Sequence, residues 1–334
     1  MNLREMKASV NSTSYMLPIK FVKVGEHILV HLISAERLNL KYGSFRNSLT
    51  ALPNSGGPDA IVHLTAWLKS NKNRYSDLPN IGFIFHISRC GSTLLTQNLK
   101  ATERFIALGE PSFLGCLYSE YSIIPADLRT PVARCALTIW NQWAYSSDKQ
   151  LICKLNSKAI SQRRQIRGDF PDAKMLFLYR EPTPVVESLV RKPSASIAHQ
   201  YWSVLAREEQ ADRHQISLST YAAKVYLYIL LEMKAAILEG NLGCDYKYLS
   251  RDFSKIIDFF SDPRISELKV TSENRIGQSA WNDYWSAKEG EWQSTPYISI
   301  SKSSMKTFYN DNLKLLEPLH TIFAQVSSMK LEQR

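Results

Sequence analysis

Residues 81–100, Ile-Gly-Phe-Ile-Phe-His-Ile-Ser-Arg-Cys-Gly-Ser-Thr-Leu-Leu-Thr-Gln-Asn-Leu-Lys, read as an apolar strand, a tight turn through Gly91 and the opening of a helix. That order of elements makes a cradle for an anion. The first N–H groups of a helix have no intrahelical partner and carry the positive end of its dipole, so they bind clustered anionic oxygens. Arg89, Ser92 and Thr93 are placed to complete the shell, with the backbone of Cys90, Gly91 and Leu94 beside them. A nucleoside-triphosphate loop needs Gly-x-x-x-x-Gly-Lys-Ser/Thr, with the Lys on the β- and γ-phosphates. Aligned on Gly91, this chain has His86 where the first Gly belongs and Ser92 where the Lys belongs; its cation is Arg89, two residues before the glycine. The loop therefore suits a single substituted phosphate better than a triphosphate.

A second junction of the same kind spans 174–191, Lys-Met-Leu-Phe-Leu-Tyr-Arg-Glu-Pro-Thr-Pro-Val-Val-Glu-Ser-Leu-Val-Arg. Arg180 offers planar, bidentate recognition of a phosphate, Pro182 presets the first turn of a helix, and Ser188 follows on that helix. Read alone, Tyr-Arg-Glu-Pro could equally be a strand end capped by a solvated charge pair.

Together the two segments resemble the sulfotransferase family. Its 5′-phosphosulfate loop has a cation, a small residue, Gly and two hydroxyl residues at a helix opening, and its 3′-phosphate site has an Arg at a strand end followed by a helical Ser. The resemblance covers roughly residues 80–260. It implies an α/β fold with a central parallel sheet flanked by helices, the P-loop NTPase-like sulfotransferase fold, here with a small N-terminal β appendage. It also implies transfer of a sulfuryl group from 3′-phosphoadenosine 5′-phosphosulfate to a hydroxyl or amine of a small-molecule acceptor, without a metal. Carried over residue by residue, Arg89, Cys90, Gly91, Ser92, Thr93 and Leu94 hold the 5′-phosphate, and Arg180 and Ser188 hold the 3′-phosphate. Arg275, in Arg275-Ile-Gly277, stands nearest the family's closing basic segment but departs from it at the middle position.

Sulfuryl transfer is an in-line displacement, so charge on the leaving phosphate must be neutralised and a proton taken from the nucleophile. Arg89 and Lys154 are the candidate cations. Glu110, just after a short strand, is the first candidate for the base; His86 is the second and His199 the next. For Glu110 a surface acid before Pro111 is an equally good reading, and for His86 a histidine supporting the turn is the better one.

Several elements must position these groups. Residues 17–34 alternate as a hairpin around Gly25-Glu26, and the stretch Leu52-Pro-Asn-Ser-Gly-Gly-Pro-Asp59 reads as a linker. Asp59 is placed to cap a helix running through Leu68. The expected division is an extension over 1–58 and the nucleotide-binding domain over 59–334. Strands at 81–87, 105–108, 151–153 and 174–179 alternate with helices at 92–101, 131–146 and 158–168, the pattern of a parallel sheet with crossovers. A helical region follows over 199–240, with Tyr221, Val225, Ile229 and Met233 as a core stripe. A strand at 243–248 and a helix through Phe259-Phe260 come next, then an aromatic segment containing Trp281, Tyr284, Trp285 and Trp292. In open parallel sheets, ligands bind beyond the carboxyl ends of the strands, which is where Arg89, Glu110, Lys154 and Arg180 fall.

The 334 residues are 44% hydrophobic, enough for one large domain or two modest ones, and carry a formal charge of +10. The charge suits an anionic ligand. Nucleic acid is not expected, because no dense basic run or Arg-rich arm is present. The five cysteines form no Cys-x-x-Cys pair, and charged residues interrupt both the N-terminus and the most apolar helix. These features fit a reduced cytoplasmic protein with no membrane span. Two other readings stay open: a P-loop small-molecule kinase, and a non-catalytic nucleotide-binding protein on the same scaffold.

Overall fold

The chain is described here by a computed structural model, covering residues 15–42, 44–50, 52, 57–74, 80–119, 121–191, 218–262, 320–325 and 327. Its architecture is α/β, a five-stranded parallel sheet of order β5-β6-β4-β7-β8 with flanking helices, and a three-stranded antiparallel sheet of order β1-β2-β3. The strands are β1 (Met16–Val24), β2 (His27–Ser34), β3 (Ala60–His63), β4 (Gly82–His86), β5 (Phe105–Gly109), β6 (Gln150–Lys154), β7 (Lys174–Tyr179) and β8 (Leu242–Asp245). The helices are α1 (Phe45–Thr50), α2 (Leu64–Ser70), α3 (Ser92–Ala101), α4 (Ser112–Leu117), α5 (Ala126–Ser146), α6 (Arg163–Asp169), α7 (Pro182–Arg191), α8 (Leu218–Leu238) and α9 (Phe253–Phe260). Among the described residues no helix is long and apolar enough to cross a membrane.

Every residue of β4, β5 and β6 is buried, which is why these strands read as unbroken apolar runs rather than alternating ones. The described residues form two compact units, one within Met1–Ile84, Thr93–Lys174 and Ser254–Ile276, the other within Phe85–Ser92, Met175–Phe253 and Gly277–Arg334.

In the first unit, the hairpin turns at Gly25-Glu26, where Val24 pairs with His27 and Gly25 takes φ 57°. The β1–β2 register shifts between Pro18 and Lys20. Proline brings no N–H to a ladder, so a bulge is the economical place for it. The carbonyls at this bulge are taken by side chains: Trp140 Nε1 of α5 donates to Pro18 O (2.9 Å) and Ser112 Oγ of α4 to Ile19 O (3.1 Å). Trp140 is fully buried and packs with Phe45 and Phe113, ring centroids 5.7 and 6.1 Å away. In the second unit, Tyr221, Val225, Ile229 and Met233 of α8 are all buried, as their fourfold spacing requires.

Four element boundaries differ from the sequence reading. Residues 60–63 do not open a helix: they form β3, with Val62 opposite Val30 and Ile61 opposite His31. Asp59 does not cap it, because its carboxylate accepts from Ser34 N (2.7 Å) and pairs with Arg37. Helix α5 starts at Ala126 after Pro125, so Pro131 lies inside the helix instead of opening it. The expected helix 158–168 is a 3-10 turn, Ser157–Gln162, capped by Asn156, followed by α6. Strand β8 stops at Asp245, whose side chain accepts from Lys247 N (2.9 Å) and turns the chain into a 3-10 segment.

Gly82 opens β4 against the fully buried Phe260, where a Cβ would come within 2.6 Å of the ring and 3.1 Å of Ile152. Gly82→Ala should therefore cost about 1–3 kcal/mol through overpacking, read as a lower urea midpoint at unchanged slope. An unchanged midpoint would show that Phe260 can swing away.

Candidate functional site

The loop after β4 is built within the second unit. Ile87 N donates to Leu178 O (3.1 Å), continuing the strand alignment one residue past His86. The chain then reverses, with Arg89 at φ 64° and Gly91 at φ 80°, and enters α3 at Ser92. A non-glycine residue in the left-handed region costs about 1 kcal/mol or more and persists only where its surroundings hold it. Here the holding group is identifiable. The Arg180 guanidinium donates from Nη1 to the Arg89 carbonyl (3.1 Å), so the two motifs read from the sequence meet through a direct hydrogen bond.

Arg180 is itself held from two sides. Its guanidinium lies over the Tyr246 ring, 4.6 Å from the centroid, and its carbonyl accepts from the Tyr226 hydroxyl (2.5 Å). Burial, with Cys90 and Asp245 nearby, raises the Tyr226 phenol well above its ordinary range, so it remains a neutral donor. Tyr246 also walls the loop, since a Cβ on Gly91 would sit 2.4 Å from Tyr246 Cε2. Gly91 is thus required twice, by its positive φ and by the ring against its backbone. Burial lowers the Arg89 guanidinium from its usual value, yet a guanidinium keeps its charge at any physiological pH.

The other sequence-read residues fall as follows. Cys90 and Ser92 are buried in the loop, and Leu94 is buried in α3, so its side chain belongs to the core. Thr93 is half-buried. His86 is buried with Nδ1 3.0 Å from Ile87 O; a carbonyl only accepts, so this contact places the ring proton on Nδ1. Ser188 is half-buried in the second turn of α7. His199, Arg275 and the aromatic residues Trp281, Tyr284, Trp285 and Trp292 lie outside the described residues.

Glu110 and Lys154 meet within the first unit. Gly109 and Lys154 are register partners on β5 and β6, and Glu110 N donates to Lys154 O (2.7 Å), one step beyond the strand. Lys154 Nζ donates to Glu110 Oε1 at 2.5 Å. Glu110 takes φ 56°, another non-glycine residue in the left-handed region, which turns its side chain back over the strand end. The pair is asymmetric: the Lys154 side chain is 2% exposed and that of Glu110 44%. A second amine lies close by. Lys100 Nζ donates to the carbonyls of Leu40 (2.6 Å) and Tyr42 (2.5 Å), and burial, reinforced by the Lys154 charge, brings it down to about 8.

Tyr226, Tyr246 and Lys100 were not singled out by the sequence reading. Tyr246 had a usable signal, being the first residue after a strand on the ligand-binding edge of the sheet. Tyr226 and Lys100 sit on helices amid ordinary core and surface spacing and are revealed only by tertiary contacts.

No family model matches the sequence, and no curated protein matches it. Among solved structures, the chain is similar to a sulfotransferase from Alicyclobacillus acidocaldarius, at 17% identity and a TM-score of 0.34, over 72% of this chain and 95% of that one. It is also similar to the sulfotransferase domain from the curacin biosynthetic pathway, at 17% identity and a TM-score of 0.34, over 71% of this chain and 98% of that one.

The asymmetry of the ion pair has a measurable consequence. Glu110→Gln leaves a buried ammonium without its counter-charge and should cost about 2–4 kcal/mol, whereas Lys154→Met leaves an exposed carboxylate to water and should cost about 1 kcal/mol or less. Denaturant unfolding of the two variants checks the order; equal losses would show that the ammonium is hydrated.

Proposed function

We propose that the chain is a sulfotransferase that moves a sulfuryl group from 3′-phosphoadenosine 5′-phosphosulfate to a hydroxyl or amine of a small molecule. The observation that carries this reading is the hydrogen bond from Arg180 to the Arg89 carbonyl, which joins the two segments whose residues resemble the 5′- and 3′-phosphate sites. One guanidinium carries five N–H donors, and this bond uses one of them. The residues fit a ligand with two phosphate groups: the Arg180 guanidinium set against the backbone of the Arg89 loop, a backbone that passes Gly91 without a Cβ, and a helix opening directly after it.

The donor nucleotide, when bound, supplies the activated sulfuryl group. Arg89 and the backbone of Cys90 through Leu94, with the hydroxyls of Ser92 and Thr93, would hold its 5′-phosphate and stabilise the charge that builds on the leaving oxygen. Arg180 and Ser188 would hold the 3′-phosphate. Tyr246 and Tyr226 keep the Arg180 head and backbone in place. Glu110 would take the proton from the acceptor, and Lys154 would keep that carboxylate oriented and add positive charge. His86, with its Nδ1 proton on a backbone carbonyl, fits the role of supporting the turn better than that of base.

Calorimetry with adenosine 3′,5′-bisphosphate, beside AMP, ADP and ATP with and without magnesium, tests the proposal. Metal-independent binding that needs the 3′-phosphate is expected. Arg180→Ala should weaken it by about 1.5–3 kcal/mol and erase the preference for a 3′-phosphate. Preference for magnesium-ATP would replace the reading with a kinase. Tight binding without any transfer to an acceptor panel would leave a nucleotide-binding protein.

A further inference from the structure

We propose that the antiparallel sheet carries a surface site for a first-row transition-metal cation, held by His27 and His63. His27 opens β2 and His63 closes β3, where it is the register partner of Leu29. Side chains alternate along a strand, so His27 and Leu29 share a face, and His63 reaches His27 diagonally. The rings stand nearly perpendicular, 71° apart with centroids 5.2 Å apart, and His27 Nδ1 lies 3.2 Å from His63 Nε2. Two nitrogens bound tetrahedrally at about 2.0–2.1 Å are separated by about 3.3–3.4 Å. The two imidazole nitrogens are therefore already at nearly the bite distance of such a cation.

A second contact supports the assignment. His63 Nδ1 lies 2.9 Å from Thr65 Oγ1. With the Nδ1 proton donated to that hydroxyl, the lone pair of Nε2 is directed at His27, the arrangement by which a ligating histidine is oriented through its other nitrogen. In the metal-free protein the His27 Nδ1–H donates to that lone pair. On binding, His27 moves its proton from Nδ1 to Nε2 through solvent, so no net proton is lost and both nitrogens face the cation. Among the described residues no group of three or more His, Cys, Asp or Glu side chains is arranged for a metal. The described residues thus offer two ligands, with water for the rest, and imidazole donors select zinc, nickel or copper over magnesium or calcium. Bridging β2 to β3, the cation would clip together two strands joined by a long connection.

Titration of the full chain with Ni²⁺ by calorimetry, with Mg²⁺ as control, tests this. The expected result is a one-equivalent binding step with micromolar affinity, weakened at least tenfold by His27→Ala and by His63→Ala, and several-fold by Thr65→Val. His31→Ala should leave it unchanged, since His31 lies four residues along β2 from His27, about 13 Å, and makes no three-ligand group with the pair among the described residues. A step retained within twofold in both histidine variants would overturn the site. Should either variant fail to fold, the electron paramagnetic resonance spectrum of the Cu²⁺-loaded wild type decides: coupling to two nitrogens supports the site, and its absence overturns it.

Discussion

The bond from the Arg180 guanidinium to the Arg89 carbonyl organises the strand-end face of the second unit, where the two arginine-bearing turns meet. Arg89 is in a backbone conformation that an L-residue avoids, and its carbonyl is turned away from any regular ladder. A charged donor is the strong partner such a carbonyl needs. Everything nearby serves that geometry. Tyr246 supports the guanidinium from beneath and fills the space that a side chain at position 91 would take, and Tyr226 anchors the backbone at Arg180. Three strand ends, β4, β7 and β8, thereby contribute one residue each to a single constellation, as the carboxyl edge of a parallel sheet allows.

The first unit poses a different electrostatic problem. Lys154 is an ammonium with almost no access to water, and Lys100 is a second, half-buried amine close enough to feel its charge. Two like charges close together raise each other's cost, so one counter-charge and two carbonyls are drawn in. Glu110 provides the counter-charge, at the expense of a left-handed backbone, and the carbonyls of Leu40 and Tyr42 provide the rest. The connection between β2 and β3 is thus tied to the end of α3 by an amine.

The parallel strands were legible because burial on both faces leaves an unmistakable apolar run, and the two Arg-bearing turns followed from them. Local sequence misled where tertiary contacts decide. Ala-Ile-Val-His after a Pro/Gly stretch looks like a helix entry until β2 offers it a ladder, and Pro131 looks like a helix start until Pro125 takes that place. The pairing of Glu110 with Lys154 was not legible either: both were read as strand-end residues, and only the β5–β6 register sets them side by side. Tyr226 carries no local mark of its role, since aromatic residues at helix spacing are usually core.

The structure of the chain bound to adenosine 3′,5′-bisphosphate would test the two-phosphate cluster most directly. The 5′-phosphate is expected on the backbone of residues 89–94 and the 3′-phosphate against the Arg180 guanidinium, with the Arg180 hydrogen bond to Arg89 still in place. A nucleotide seated with its 3′-phosphate away from Arg180, or binding elsewhere on the chain, would show that the two arginine motifs meet for structural reasons alone.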